Sequence, residues 1–202
     1  METVLPAFDA AYWQGRYAAG RDGWDARAIT PPLRAYFDQL DLTRQPRILI
    51  PGAGRAYEAE YLHRAGYEHV FVADIAQEAL NALAARAPTF PPAHLLRADF
   101  FALVPEPPYD CIVEQTFFCA LNPALRPAYA RQCAALLRPG GTLVGLLFDT
   151  AFGPGQEPPF GGSKEEYREY FAPYFEFRYF ETATNSLVPR QGRELFICLK
   201  KR

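Results

Sequence analysis

Arg47-Ile48-Leu49-Ile50-Pro51-Gly52-Ala53-Gly54-Arg55-Ala56-Tyr57-Glu58 is the stretch on which the fold turns. A short apolar, β-branched run feeds a Gly-x-Gly turn. A helical pattern follows over residues 57–65, closed by Gly66. A second apolar run then ends at an acid, Asp74, 22 positions after Gly52. This is the outline of a βαβ unit that handles a nucleotide. Its glycines let a ligand approach the backbone, and an acid at the next strand end can hold a ribose.

Outward from that unit, strand and helix signals alternate. Residues 47–51 and 69–74 read as the first two strands, with a helix over 77–87 whose Leu80, Leu83, Ala84 and Ala87 share a face. Residues 94–97 and 109–115 give the third and fourth strands. Residues 126–137 form a helix with Tyr129, Cys133, Leu136 and Leu137 on one face. It stops at Arg138-Pro139-Gly140-Gly141, read as a turn because Pro cannot continue a helix and Gly tolerates positive φ. Residues 142–148 are nearly all apolar, as expected of a strand covered on both faces. A helix over 163–171 begins with a capping box, Ser163 and Glu166. Two β-rich runs, 175–182 and 193–200, joined by residues 185–192, predict an antiparallel hairpin. The expectation is an α/β chain with a mostly parallel sheet of seven strands, helices on both faces and a C-terminal antiparallel hairpin strand. Residues 1–44 carry helical runs at 8–18 and 32–40, too much for a mere tail.

Composition narrows the function. At 202 residues, half of them hydrophobic, the chain reads as one domain, 1–202, with an N-terminal segment 1–44 and a core 45–202. A net charge of -2 and a pI near 6.0, with no basic stripe, speak against nucleic acid as a partner. No apolar run approaches the ~18 residues that span a bilayer. Residues 1–6 lack the basic and apolar regions of a signal peptide. Cys111, Cys119, Cys133 and Cys198 form no C-x-x-C pair, which fits reduced thiols in a cytoplasmic protein. His63, His69 and His94 are scattered, so no metal site is expected.

Several residues carry chemistry. Gly52 and Gly54 serve either a ligand or a tight turn. Tyr57 stands where a third dinucleotide-motif glycine belongs, which counts against pyrophosphate on the helix and so against a nicotinamide oxidoreductase. Asp74 either takes two ribose hydroxyls or caps the next helix. Asp99-Phe100-Phe101, after the third strand, can hold a purine amine and cover its ring, or form an ordinary loop. Glu114-Gln115-Thr116-Phe117-Phe118-Cys119 lies at the carboxyl end of the fourth strand, the edge where open α/β sheets bind ligands. Trp13, Tyr17 and Trp24 cluster near the N-terminus. Such rings can face a cation, a sulfonium included, or dock the segment on the core.

These residues in combination resemble the thiopurine S-methyltransferase family of class I S-adenosylmethionine-dependent methyltransferases, and most of all its thiol and halide branch. The likeness runs from Tyr12 to Leu199. It rests on Trp13, Tyr17, Gly23-Trp24-Asp25, Ile50 to Gly54, Asp74-Ile75, Asp99-Phe100-Phe101 and Thr116 to Pro123. Arg126 to Ala130, Leu137 to Gly141 and Pro158-Pro159-Phe160 complete it. The resemblance implies a Rossmann-like core with residues 1–44 as a helical lid. Trp13, Tyr17 and Trp24 would close over S-adenosylmethionine, with S-adenosylhomocysteine as product. Gly52 and Gly54 would touch its methionine part, Asp74 and Ile75 its ribose side. Asp99 and Phe100 would frame the adenine, and Glu114 would sit near the amino-acid end. Arg126 would attract the acceptor and Thr116 orient it. The chain departs from the family at Tyr17 (often Trp), Glu114 (often Asp), Ala56 (often Gly) and Glu58 (usually Asp).

The implied reaction is in-line displacement onto a small soft nucleophile: thiol, hydrosulfide, thiocyanate or halide. Thiopurines, aromatic thiols and metalloid oxyanions fit the same motifs, as does an idle donor-binding module. Family precedent implies a monomer acting on a small-molecule acceptor.

Overall fold

The apolar run of the opening stretch becomes β1 (Ile48–Pro51), buried along its whole length. Its residues alternate between two cores: Leu49 faces one side of the sheet, Ile48 and Ile50 the other. β2 (Val70–Asp74) and β4 (Tyr109–Gln115) do the same, with Phe71 and Ile112 on one face and Val70, Val72 and Val113 on the other. A strand covered on both faces needs apolar residues at successive positions, hence runs rather than alternation. This computed structural model describes residues 8–104, 106–153, 155 and 157–202. The first six residues, read for a signal peptide, and the loop prolines Pro105 and Pro154 lie outside the described residues.

With β3 (Leu95–Arg97), β5 (Leu137–Phe148), β6 (Phe175–Thr182) and β7 (Glu194–Lys201), the sheet has seven strands in the order β3-β2-β1-β4-β5-β7-β6. β7 runs against both its neighbours, β5 and β6; the pairs from β3 through β5 are parallel. The expected mostly parallel sheet with an antiparallel C-terminal strand is therefore observed. α2 (Pro31–Phe37), α3 (Tyr57–Arg64) and α4 (Gln77–Arg86) pack on one face, and α5 (Arg126–Leu136) and α6 (Lys164–Phe171) on the other. α1 (Ala10–Ala18) starts at Asp9, whose side chain accepts from the Tyr12 amide at 2.9 Å. It buries no residue of its own.

Two local readings change. Residues 138–141 are not a turn outside the sheet but part of β5. Tyr109 pairs with Leu137 and Cys111 with Thr142, so the extra residues bulge out of the ladder, with Gly140 at φ 73°. In α4 the buried face is Ala79, Leu80 and Leu83, while Ala84 is exposed.

Candidate active site

β1 has β2 on one side and β4 on the other, so the order of strands reverses beside it. Loops leaving the carboxyl ends of neighbouring strands part there and leave a crevice, the usual ligand position of an open α/β sheet. A cavity of about 860 Å³ occupies that crevice. Its base is the turn after β1. Gly52, Gly54 and Ala56 all have left-handed backbone, at φ 54°, 56° and 55°. At Gly52 a Cβ would collide with the Phe117 ring. At Gly54 it would lie 3.5 Å from the Trp24 indole nitrogen and 3.7 Å from the Tyr17 hydroxyl. Ala56 is the costly member: an L side chain in this conformation loses roughly 1–2 kcal/mol. That strain is the physical reason a glycine suits the position.

Asp74 ends β2 on the cavity wall. Its carboxylate accepts from the Ala76 amide at 2.8 Å and the Gly54 amide at 3.3 Å. The carboxylate thus closes a tight turn ahead of α4, whose N-cap is Ala76 and has no side-chain cap, while the residue lines the cavity. Burial pushes its pKa up to about 6, with those backbone bonds opposing the rise. Asp99 accepts from the Phe101 amide at 2.9 Å at the start of a 3-10 turn, Phe100–Ala102. Asp99, Phe100 and Ile75 line the cavity beside Asp74.

The roof is the N-terminal segment. Trp24 stands edge to face with both Trp13 and Tyr17, each pair 5.6 Å between centroids. All three rings line the cavity. Polar ties anchor the segment to distant parts of the chain. Arg55 bonds Asp22, Gln14 bonds Glu78 at 2.5 Å, Arg16 bonds Glu157 at 3.3 Å, and Arg190 donates to the Trp24 carbonyl at 2.9 Å.

The far wall follows β4. Thr116 has left-handed backbone, φ 61°, and its hydroxyl donates to the Gln115 carbonyl at 2.7 Å. Thr116, Phe117 and Cys119 face the cavity. Glu114 does not. It is 0% exposed, and it accepts from the Phe117 and Phe118 amides at 2.7 and 3.0 Å and from the Tyr129 hydroxyl at 2.5 Å. Burial pushes its pKa up to about 7. The expected place beside the donor's amino-acid end is thus corrected: the carboxyl lies under the loop, not in the cavity.

Arg126 is also corrected. It is 1% exposed and absent from the cavity wall. Its guanidinium donates to the carbonyls of Phe160 and Gly161 at 3.0 and 2.9 Å and to Glu166 at 3.1 Å, over the rings of Phe118 and Tyr167. Its two terminal nitrogens are committed to protein while Nε is buried without a partner, so the group fixes the 158–162 loop rather than meeting an acceptor in the cavity. The cations that do reach the cavity are Arg16, Arg55, Arg190 and Arg193. Arg190 lies 5.5 Å from the Phe148 centroid and Arg193 5.2 Å from that of Phe152. Those two rings meet edge to face at 4.9 Å.

The sequence reading missed this corner. Phe148 ends β5, so the same strand-end rule would have found it; nothing in the hairpin loop marks Arg190 or Arg193. It also left Glu58 unassigned beyond its departure from the family. Glu58 is 4% exposed, lines the cavity, and is pushed up to about 7 by burial.

Comparison with known proteins agrees with this architecture. The family model described as Thiopurine S-methyltransferase (TPMT) matches residues 8–200. A probable thiol methyltransferase 2 of Arabidopsis thaliana is 32% identical over 187 residues, covering 90% of this chain and 81% of its own. Thiocyanate methyltransferase 1 of Brassica oleracea is 29% identical with the same coverage. A thiopurine S-methyltransferase of Legionella pneumophila (strain Paris) is 28% identical, covering 77% of each chain. Among solved structures, the Burkholderia thailandensis 1,6-didemethyltoxoflavin-N1-methyltransferase, with its substrate and S-adenosylhomocysteine bound, superposes with a TM-score of 0.75 at 21% identity. It covers 95% of this chain and 86% of that one. At that identity the likeness speaks for the fold. The residues present suit an adenosyl sulfonium donor. The glycine backbone at residues 52 and 54 admits close approach, a buried carboxylate at Asp74 can accept ribose hydroxyls, and the Phe100 and Phe117 rings line the same cavity. The chain belongs to the thiopurine S-methyltransferase family and is an S-adenosylmethionine-dependent methyltransferase.

Proposed function

We propose that this enzyme methylates a small soft nucleophile: a thiol, hydrosulfide, thiocyanate or halide. One observation carries the reading. Among the described residues the cavity wall includes several arginines but no His and no Lys. Of the carboxylates there, Asp74 serves the Ala76 amide, Asp99 that of Phe101 and Asp25 that of Arg27 at 2.7 Å, while Glu58, pushed up to about 7 by burial, also lines the wall. A wall lined by arginines suits an acceptor that is ionised before it arrives, and Glu58 can take the proton from one that is not. The thiol and thiocyanate methyltransferases among the relatives support the same class.

When bound, S-adenosylmethionine supplies a methyl on a sulfonium, a leaving group that needs no acid. The protein then has to align and to exclude water. Trp13, Tyr17 and Trp24 form the roof over the donor, and Gly52 and Gly54 receive its methionine part. Asp74 takes the ribose hydroxyls, while Ile75, Asp99 and Phe100 frame the adenine. Thr116, at the corner between floor and acceptor side, orients the nucleophile. Residues 1–44 and 45–202 act as lid and core of one domain. The enzyme acts on its small-molecule acceptor as a monomer. Among the described residues no helix is long and apolar enough to cross a membrane; with four free cysteines, a cytoplasmic site of action is consistent.

A second reading, an aromatic thiol or thiopurine, is favoured by the Phe148–Phe152 pair, which offers a planar ring a stacking surface. The test is S-adenosylhomocysteine formation with thiocyanate, hydrosulfide, iodide, a small aliphatic thiol and a thiopurine, with headspace detection of volatile methyl products. Turnover with the anions and small thiols is expected. Turnover with the thiopurine alone moves the enzyme to the second reading. Silence across the panel, with the donor product still bound, overturns both and leaves an idle module or a larger acceptor.

A further inference from the structure

Glu114 lies behind the cavity wall and accepts three hydrogen bonds. Space is made for it: across the ladder it faces Gly145, where a Cβ would collide with the Glu114 backbone and lie 2.5 Å from its Cβ. One carboxylate oxygen takes the amides of Phe117 and Phe118; the other takes the Tyr129 hydroxyl. Those amides belong to the turn that follows Thr116, whose left-handed backbone costs energy and needs a restraint. The same turn sets the Phe117 ring, which fills the space a side chain at residue 52 would need. Phe117 meets Phe100 edge to face at 5.5 Å and Tyr129 at 5.9 Å, so floor ring, purine-side ring and hydroxyl form one packed unit.

We propose that Glu114 is a positioning residue: through the Phe117 and Phe118 amides and Tyr129 it holds the Thr116 corner and the floor ring in place, without touching donor or acceptor. A buried carboxylate with three donors is worth its desolvation only if all three stay in register, which makes the turn a single rigid piece. This stands on the donor cavity and holds whichever acceptor is used.

The alternative is a direct ion pair with the donor's ammonium. Two ligands separate the two. S-adenosylhomocysteine carries the amino-acid group; 5′-methylthioadenosine lacks it but keeps the adenosine that the floor supports. Calorimetric titration of Glu114→Gln, well below its melting temperature, should weaken both ligands by a similar factor, about tenfold for the loss of one bond to a charged group. Tyr129→Phe, which keeps the ring and removes only the hydroxyl, should weaken S-adenosylhomocysteine in the same direction. Loss confined to S-adenosylhomocysteine in Glu114→Gln overturns positioning in favour of contact. Melting temperatures that fall while both dissociation constants stay put overturn it in favour of a purely structural role. If Glu114→Gln does not fold, Tyr129→Phe decides alone: unchanged S-adenosylhomocysteine affinity overturns the proposal. Failure of the wild-type protein to bind S-adenosylhomocysteine would be a different result, striking the donor site itself.

Discussion

Gly52→Ala and Gly54→Ala form a matched pair. Their φ values, 54° and 56°, are nearly equal, so each substitution carries the same backbone strain, about 1–2 kcal/mol for an L residue in the left-handed region. Their surroundings differ. At residue 54 the new Cβ meets only ordinary contacts, the nearest at 3.5 Å. At residue 52 it must displace the Phe117 ring, and with it the edge-to-face contacts to Phe100 and Tyr129. Each such contact is worth roughly 0.5–1.5 kcal/mol, so Gly52→Ala should cost about 1–3 kcal/mol more than Gly54→Ala. In a chain of this size each kcal/mol lowers the melting temperature by about 2–4 °C. Urea titration gives the free energies, and titration with S-adenosylhomocysteine reads the floor. Gly52→Ala should lose far more affinity than its partner. Equal destabilisation of the two variants would refute the reasoning, because it would mean the ring yields without cost.

Asp74 has a carboxyl raised to about 6 by burial, and in the proposed donor pose it accepts both ribose hydroxyls when ionised. Affinity for S-adenosylhomocysteine should fall about tenfold from pH 7 to pH 5 and be weak and flat in Asp74→Asn; a pH-dependence that survives in the variant counts against the assignment. Arg126→Ala should lower stability by about 3 kcal/mol, because it strands the Phe160 and Gly161 carbonyls. An unchanged urea midpoint would contradict that. For Glu58, burial raises the native pKa to about 7, above the unfolded value. Its stabilising contribution is therefore full below the ordinary carboxylate pKa and is lost as pH rises through about 7. Glu58→Gln should shrink the difference in urea midpoint between pH 5 and pH 8, and an identical difference would sink the argument.

The sheet was legible because a strand covered on both faces must be a continuous apolar run, and β1, β2, β4 and β5 each wrote one. The carboxyl ends of β1, β2, β3 and β4 then pointed to Gly52, Asp74, Asp99 and Thr116, all of which line the cavity. Direction of a side chain was not legible. Glu114 and Thr116 are two residues apart, yet one faces the buried Tyr129 and the other the cavity, because the left-handed backbone at Thr116 breaks the simple alternation. Arg126 misled for a related reason. A helix N-terminus near the site can aim a long side chain either way, and two loop carbonyls 34 and 35 residues on claimed it. The Arg190–Arg193 corner gave no signal at all, since a hairpin loop carries no periodicity to read.

α1 contributes no buried residue to either core. A segment attached by a handful of polar ties and by rings that face a cavity is only as firmly seated as the cavity is full. Binding of S-adenosylhomocysteine should therefore slow hydrogen exchange at the α1 amides more than at those of β1 and β4, whose backbone is held in the sheet with or without a ligand.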